Sequence, residues 1–199
     1  MSKYPEAIEN LITEFNKLPG IGRKSAERFV FYLLKQPPHE LKNLGLAIEN
    51  IKTEIKQCSV CQNFSKEDPC PICVSSARDK NIICIVAQPQ DVLAIEKTSQ
   101  YQGTYHVLHG TLNPPEGITP QKLKINELLK RVEKNNINEI ILALNPDIEG
   151  ESTSLHIKKL LSPFNLKITQ LGRGLAMGSE LEYADEITLS NALNDRKKV

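Results

Sequence analysis

Four of the five cysteines fall in two Cys-x-x-Cys pairs, Cys58 with Cys61 and Cys70 with Cys73, separated by eight residues. Each pair turns two thiolates toward one ion, and two pairs complete a tetrahedron. Four protein ligands leave no position for a water nucleophile, so such a site is structural rather than catalytic. Zinc is the ion this set favours, one per chain. An iron–sulfur cluster also takes four cysteines and is the lesser alternative. Cys84 stands apart in the apolar run Ile82-Ile83-Cys84-Ile85-Val86 and reads as a core thiol.

A second constellation is Leu18-Pro19-Gly20-Ile21-Gly22-Arg23-Lys24-Ser25-Ala26. The two glycines permit positive φ and a close backbone approach. The amides after them open a helix, where unpaired N–H groups and the dipole favour a phosphate. Arg23 and Lys24 lie beside that point, and Lys24 and Arg28, four apart, share a helix face. The run from Leu11 to Ala26 resembles a helix–hairpin–helix motif, a sequence-independent binder of DNA backbone. Gly20, Gly22, Arg23, Lys24 and Arg28 are therefore the candidate DNA contacts. The plainer alternative is a tight turn between two helices with solvated basic residues. The spacing of a phosphate-binding P-loop is absent, because Arg23 separates Gly22 from Lys24.

A third group is acidic. Ala87-Gln88-Pro89 and Asp91 follow one apolar run, and Asn145-Pro146-Asp147 follows another, with Glu149 and Glu151 close behind. This half resembles a Toprim domain, whose enzymes place a Glu after the first strand and Asp-x-Asp after a later one to hold Mg²⁺ for phosphoryl transfer. Here Ala87 and Asn145 stand at two of those places. The resemblance implies the fold without nuclease or topoisomerase activity. The rival is a metal-dependent Toprim nuclease or primase using Asp147, Glu149 and Glu151.

The elements that must position these groups change character along the chain. Residues 5–36 read as two helices broken at the glycine turn, with Ile8, Leu11, Ile12 and Phe15 at helical spacing. A third helix over 40–56 carries the seam Leu41, Leu44, Ile48, Ile51 and Ile55, expected to pack within the chain or, second, on another subunit. Beyond the cysteines, strands at 82–86, 105–108, 139–144 and 167–171 alternate with helices at 91–97, 123–134 and 154–161. That order implies a parallel sheet covered on both faces. Residues 186–189 suggest a last strand. Gly172, Gly174 and Gly178 do not fit a dinucleotide fingerprint, which leaves Arg173 as an interface or DNA residue.

Composition narrows the class. The chain has 199 residues, 40% hydrophobic and 25% charged, with a mean hydropathy of −0.32 and a net charge of +1. Collagenous, low-complexity and fully disordered chains are excluded. With 5 Phe, 5 Tyr and no Trp, a broad aromatic platform is not expected. The basic end Arg196-Lys197-Lys198 is the only charge run. No apolar stretch reaches the length of a membrane span, and no signal-like segment follows Met1. A cytoplasmic protein is expected, where bunched cysteines favour metal over disulfides.

The order of helix–hairpin–helix, four-cysteine finger and Toprim domain resembles the RecR family of bacterial recombination mediators along essentially the whole chain. Further matching stretches are Tyr105-His106-Val107-Leu108, Pro115-Glu116-Gly117-Ile118, residues 145–151, Leu171-Gly172-Arg173-Gly174 and residues 180–190. Ala87 and Gln88 depart from the commoner acidic pattern. The fold class is thus multidomain α plus α/β: a helix–hairpin–helix domain at 1–56, a four-cysteine zinc finger at 57–80, a Toprim-like domain at 81–175 and a C-terminal segment at 176–199. The resemblance implies a non-enzymatic, nucleoid-associated mediator that binds single- and double-stranded DNA as a ring-like oligomer, commonly a tetramer. It implies work with RecO and, in many bacteria, RecF, helping RecA replace single-strand-binding protein. Glu149 and Glu151 are candidate contacts for a basic partner such as RecO. Acidic charge ahead of a helix N-terminus is the equal alternative.

Overall fold

The computed structural model describes residues 4–196. Lys197 and Lys198 of the basic end lie outside the described residues, as do Met1–Lys3. The chain forms two compact units, divided between Ile55 and Lys56.

The first unit is helical: α1 (Glu6–Asn16), α2 (Arg23–Leu33) and α3 (Pro38–Glu54). Its core is small. Ile12, Ala26 and Val30 are buried, with Ile8, Phe15 and Ile21 packed around them. Ala26 is fully buried where α1 and α2 meet, so a larger side chain there would force them apart. Pro38 opens α3 at a position where its missing N–H costs nothing. The seam on α3 does not pack within the chain as expected: α3 has no buried residue, and Leu41, Leu44, Ile48, Ile51 and Ile55 are all exposed. Periodicity shows that a face is apolar and says nothing about what covers it.

The second unit is a four-stranded parallel sheet in the order β4-β3-β5-β6, made of β3 (Asp79–Val86), β4 (Gly103–Val107), β5 (Glu139–Ala143) and β6 (Lys167–Gln170). Alternation along β3 sets both cores. Ile83 and Ile85 join Ile140 and Leu142 of β5 under α6 (Ile125–Lys134) and α7 (Ile148–Leu161), which supply Leu128, Val132, Ile157 and Leu161. Cys84 and Val86 face the other way, toward Val92 of α5 (Pro89–Glu96), Tyr105 and Val107. Cys84 is thus the core thiol the sequence implies. Ahead of the sheet lies the finger: the antiparallel pair β1 (Lys56–Gln57) and β2 (Phe64–Ser65), then the short helix α4 (Pro71–Val74).

Two further expectations are corrected. Helix α7 starts at Ile148 rather than at residue 154, because Asp147 caps it by accepting from the Gly150 amide at 2.7 Å. The last element, α8 (Glu186–Asn194), is a helix and not a strand: the Asp185 carboxylate accepts from the Thr188 amide at 2.9 Å and starts a helical turn. Among the described residues no helix is long and apolar enough to cross a membrane.

Candidate metal centre and nucleic-acid interface

The finger brings all four cysteine sulfurs within 4.8 Å of one another. Cys58 and Cys73 sulfurs are 3.9 Å apart, and those of Cys61 and Cys70 are 3.5 Å apart. A tetrahedral zinc with Zn–S bonds of about 2.3 Å needs sulfurs about 3.8 Å apart, so the cage fits that ion. All four are free thiols, with Cys58, Cys61 and Cys70 buried and Cys73 half-buried. Among the described residues no other group of His, Cys, Asp and Glu gathers in this way. The four cysteines form a zinc site for one ion.

The surroundings hold the cage in shape. The Cys70 amide donates to the Cys58 sulfur at 3.3 Å. The Asp68 carboxylate accepts from the Ser59 amide at 2.7 Å, tying the loop before the second pair to the turn of the first; that bond holds Asp68 below the usual carboxylate range. Without a cation the hydrogen bond between Cys61 and Cys70 pushes the Cys61 thiol up and draws Cys70 down. A bound cation lets every thiolate form.

The finger is fastened to the free edge of the sheet. The Val107 amide of β4 donates to the Cys61 carbonyl at 2.9 Å. His109 Nε2 lies 2.6 Å from the Gln62 carbonyl, and its ring packs edge-on against Phe64. Ile72 of α4 packs against both the cysteine cluster and the core around Cys84. Arg131, most of whose surface is buried, closes the same edge: it donates to the Tyr105 carbonyl at 2.5 Å and to Thr104 Oγ1 at 2.8 Å. Sequence reasoning missed Asp68, His109 and Arg131, since each acts on residues far away in the chain or through backbone atoms.

In the hairpin turn, the Ile21 amide donates to the Leu18 carbonyl at 3.1 Å and Gly20 takes φ +78°. Gly22 does not use its left-handed freedom: at φ −82° and ψ 166° it is an extended N-cap. No side chain caps the first turn of α2, and a Cβ built on Gly20 or Gly22 meets nothing within 4 Å. Backbone amides at the turn are therefore open to an approaching anion. Arg23 is not free for it. Its guanidinium binds Glu9 at 2.9 Å and Glu27 at 3.3 Å, and Glu9 holds it more firmly protonated. Lys24 and Arg28 are exposed on one face of α2, and neither has a carboxylate partner among the described residues.

At the carboxyl ends of the strands, a crevice of about 280 Å³ is lined by Asp91, Asn145, Pro146, Gly172 and Arg173 among others. The acid that lines it, Asp91, and the neighbouring Asp147 are already engaged. Asp91 accepts from the Gln88 amide at 2.7 Å in a capping box, and Asp147 caps α7. A Cβ on Gly150 would lie 2.0 Å from the Asn145 carbonyl, so this bend requires glycine. Glu149 and Glu151 lie inside the first turn of α7 rather than ahead of it. Glu151 is held by Arg173 in an intrachain pair. Ala87 is buried and carries no ligand atom.

Comparison with known proteins covers these parts in chain order. Residues 8–52 match the family described as RecR, helix-hairpin-helix, and residues 55–75 match the four-cysteine zinc finger domain of RecR. Residues 81–172 match the Toprim domain, and residues 174–197 match RecR, C-terminal. Two proteins named Recombination protein RecR, from two strains of Desulfitobacterium hafniense, are 47% and 46% identical over 196 residues, which is 98% of this chain and 98% of each relative.

Proposed function

The chain belongs to the RecR family of recombination proteins, and on that premise we propose that it is a non-enzymatic mediator that holds DNA through its hairpin. The observation that carries this reading is the turn before α2: an uncapped helix start, glycines with open space around them, and the unpaired cations Lys24 and Arg28 on the adjoining face. Amides and cations of this kind engage phosphate and ignore base sequence. Gly20, Gly22, Lys24 and Arg28 are the contacts we assign, on single- and double-stranded DNA alike. Arg23 contributes only as far as Glu9 and Glu27 release it.

The net charge of +1 lets one copy neutralise few phosphates. A ring, most simply a tetramer, would add several hairpins through effective concentration. The uncovered α3 seam supports assembly with other copies. Within the cytoplasm, at the nucleoid, such a ring would act with RecO, and RecF where present, to help load RecA on single-stranded or gapped DNA. Glu149 is the carboxylate we assign to a basic partner such as RecO; Glu151 shares that edge but is largely taken by Arg173. The absence of catalysis is supported by Ala87 and Asn145 at the metal positions and by the capping work of Asp147.

The test is affinity against salt. Lys24→Ala with Arg28→Ala should weaken binding to all sequences alike and flatten the salt dependence, with zinc content unchanged. An unchanged salt slope overturns the assignment. Cleavage of DNA with Mg²⁺ or Mn²⁺ that Asp147→Asn abolishes would overturn the non-enzymatic part.

A further inference from the structure

The exposed face of α2 carries more than charge. Lys24, Arg28 and Tyr32 follow one another at intervals of four, about 6 Å of rise each, and Phe31 lies on the same face between them. Lys35 continues the row in the turn that ends the helix. Tyr32 is 61% exposed and Phe31 38% exposed, the latter edge-on against Tyr4 at 5.3 Å. Among the described residues no carboxylate pairs with Lys24, Arg28 or Lys35, whereas Arg23 on the neighbouring face is paired twice. An exposed ring between unpaired cations matches a strand that presents phosphates and flat bases together.

We propose that this face is a single-strand platform: Tyr32 stacks an unpaired base while Lys24, Arg28 and Lys35 hold the flanking phosphates. The inference rests on the DNA-binding reading above and adds to it a preference for unpaired strands. A duplex keeps its bases stacked on each other and offers Tyr32 no face, so only the cations act there. A second copy of the chain is the less suitable occupant. A symmetric contact would bring Lys24, Arg28 and Lys35 toward their own counterparts, at a desolvation cost that only the rings of Phe31 and Tyr32 would offset. The α3 seam has no such obstacle.

The test uses the full chain and three labelled probes: a 30-nucleotide single strand, the matching duplex, and a single strand of abasic residues that keeps the phosphates. Wild type should bind the ordinary single strand more tightly than the abasic one. Tyr32→Ala should lose about tenfold on the ordinary strand and little on the other two, while Tyr32→Phe keeps the preference. An equal loss on all three probes, no loss, or a changed oligomeric mass in Tyr32→Ala overturns the platform. If Lys24→Ala with Arg28→Ala weakens binding while Tyr32→Ala does not, the platform fails and the backbone reading stands. If the double variant binds every probe as wild type does, the backbone reading fails, and the platform fails with it.

Discussion

The helical unit and the sheet-and-finger unit divide apolar surface in different proportions. The first buries Ile12, Ala26 and Val30 and leaves Leu18, Tyr32, Ile48 and Ile51 at least half exposed. The second has two apolar layers on its sheet and, against one edge, a metal cage. The sheet-and-finger unit also exposes apolar side chains, Ile148, Leu155, Met177, Tyr183 and Ile187 among them, but around two continuous cores; the helical unit has only a small core beneath its own. With three buried residues among those described, the helical unit has little interior to stabilise it, while the sheet and metal site give the second unit more.

The largest effect that could break this comparison is loss of zinc. Structural zinc in small finger peptides binds with an apparent free energy of about 10–16 kcal/mol, which counts toward folding. Chelation, or Cys61→Ser, should release one zinc per chain and destabilise the second unit. Because the Cys61 carbonyl takes the Val107 amide, the disturbance should reach β4. Hydrogen exchange should show lost protection over 56–74 and along β4, with α1 and α2 unchanged. Equal loss in both units would erase the distinction drawn between them.

A smaller effect comes from acid. His106 on β4 is fully buried: its Nε2 lies 2.7 Å from the Lys124 carbonyl and its Nδ1 has no partner among the described residues. Burial holds it down to about 4, with Arg131 and His109 opposing its charge and the Lys124 carbonyl and Glu127 favouring it. A neutral histidine in the fold and a protonated one in the unfolded chain mean that the unfolded state binds more protons. Stability is then full above the ordinary histidine value of about 6.5 and falls as the pH drops toward 4, by about 3 kcal/mol in all. His106→Gln should flatten that slope for the second unit in thermal melts between those pH values. A slope equal to wild type would mean that His106 is not the group responsible.

Legibility in the sequence followed the range of the interactions. The cysteine spacing, the glycine turn and the apolar strands are local patterns, and the structure has all of them. Cys84 and the parallel order of the sheet likewise follow from short runs of side chains. The early start of α7 was hidden because Asn145-Pro146-Asp147 reads as a loop, and the cap formed by Asp147 and Gly150 lies inside it. The strand expected at 186–189 failed because four residues cannot distinguish the two periods, and the Asp185 cap decides for helix. The pairing of Arg23 with Glu9 was not legible because Glu9 sits on another helix. The Glu151–Arg173 pair was hidden for the same reason.

The smallest effect sharpens the reading of the helical unit, and it concerns that same Arg23. Glu9 and Glu27 both hold its guanidinium at the mouth of the turn, beside the open amides of α2. Arg23 is exposed while Glu9 is half-buried, and a pair with one arm in solvent adds little to stability. Glu9→Gln should therefore leave the melting temperature nearly unchanged. It removes the stronger of the two restraints and one negative charge near the phosphate path, so Arg23 gains freedom to reach DNA. Each further phosphate neutralised on a duplex steepens the slope of log affinity against log salt by about 0.9. The variant should bind duplex DNA more tightly at low salt, with a slope steeper than wild type by at most that amount per hairpin engaged. The gain should vanish when Arg23→Gln is added, because no guanidinium is then left to release. If Glu9→Gln binds with the wild-type slope, Arg23 belongs to the scaffold of the turn, and the surface this unit offers to DNA begins at Lys24.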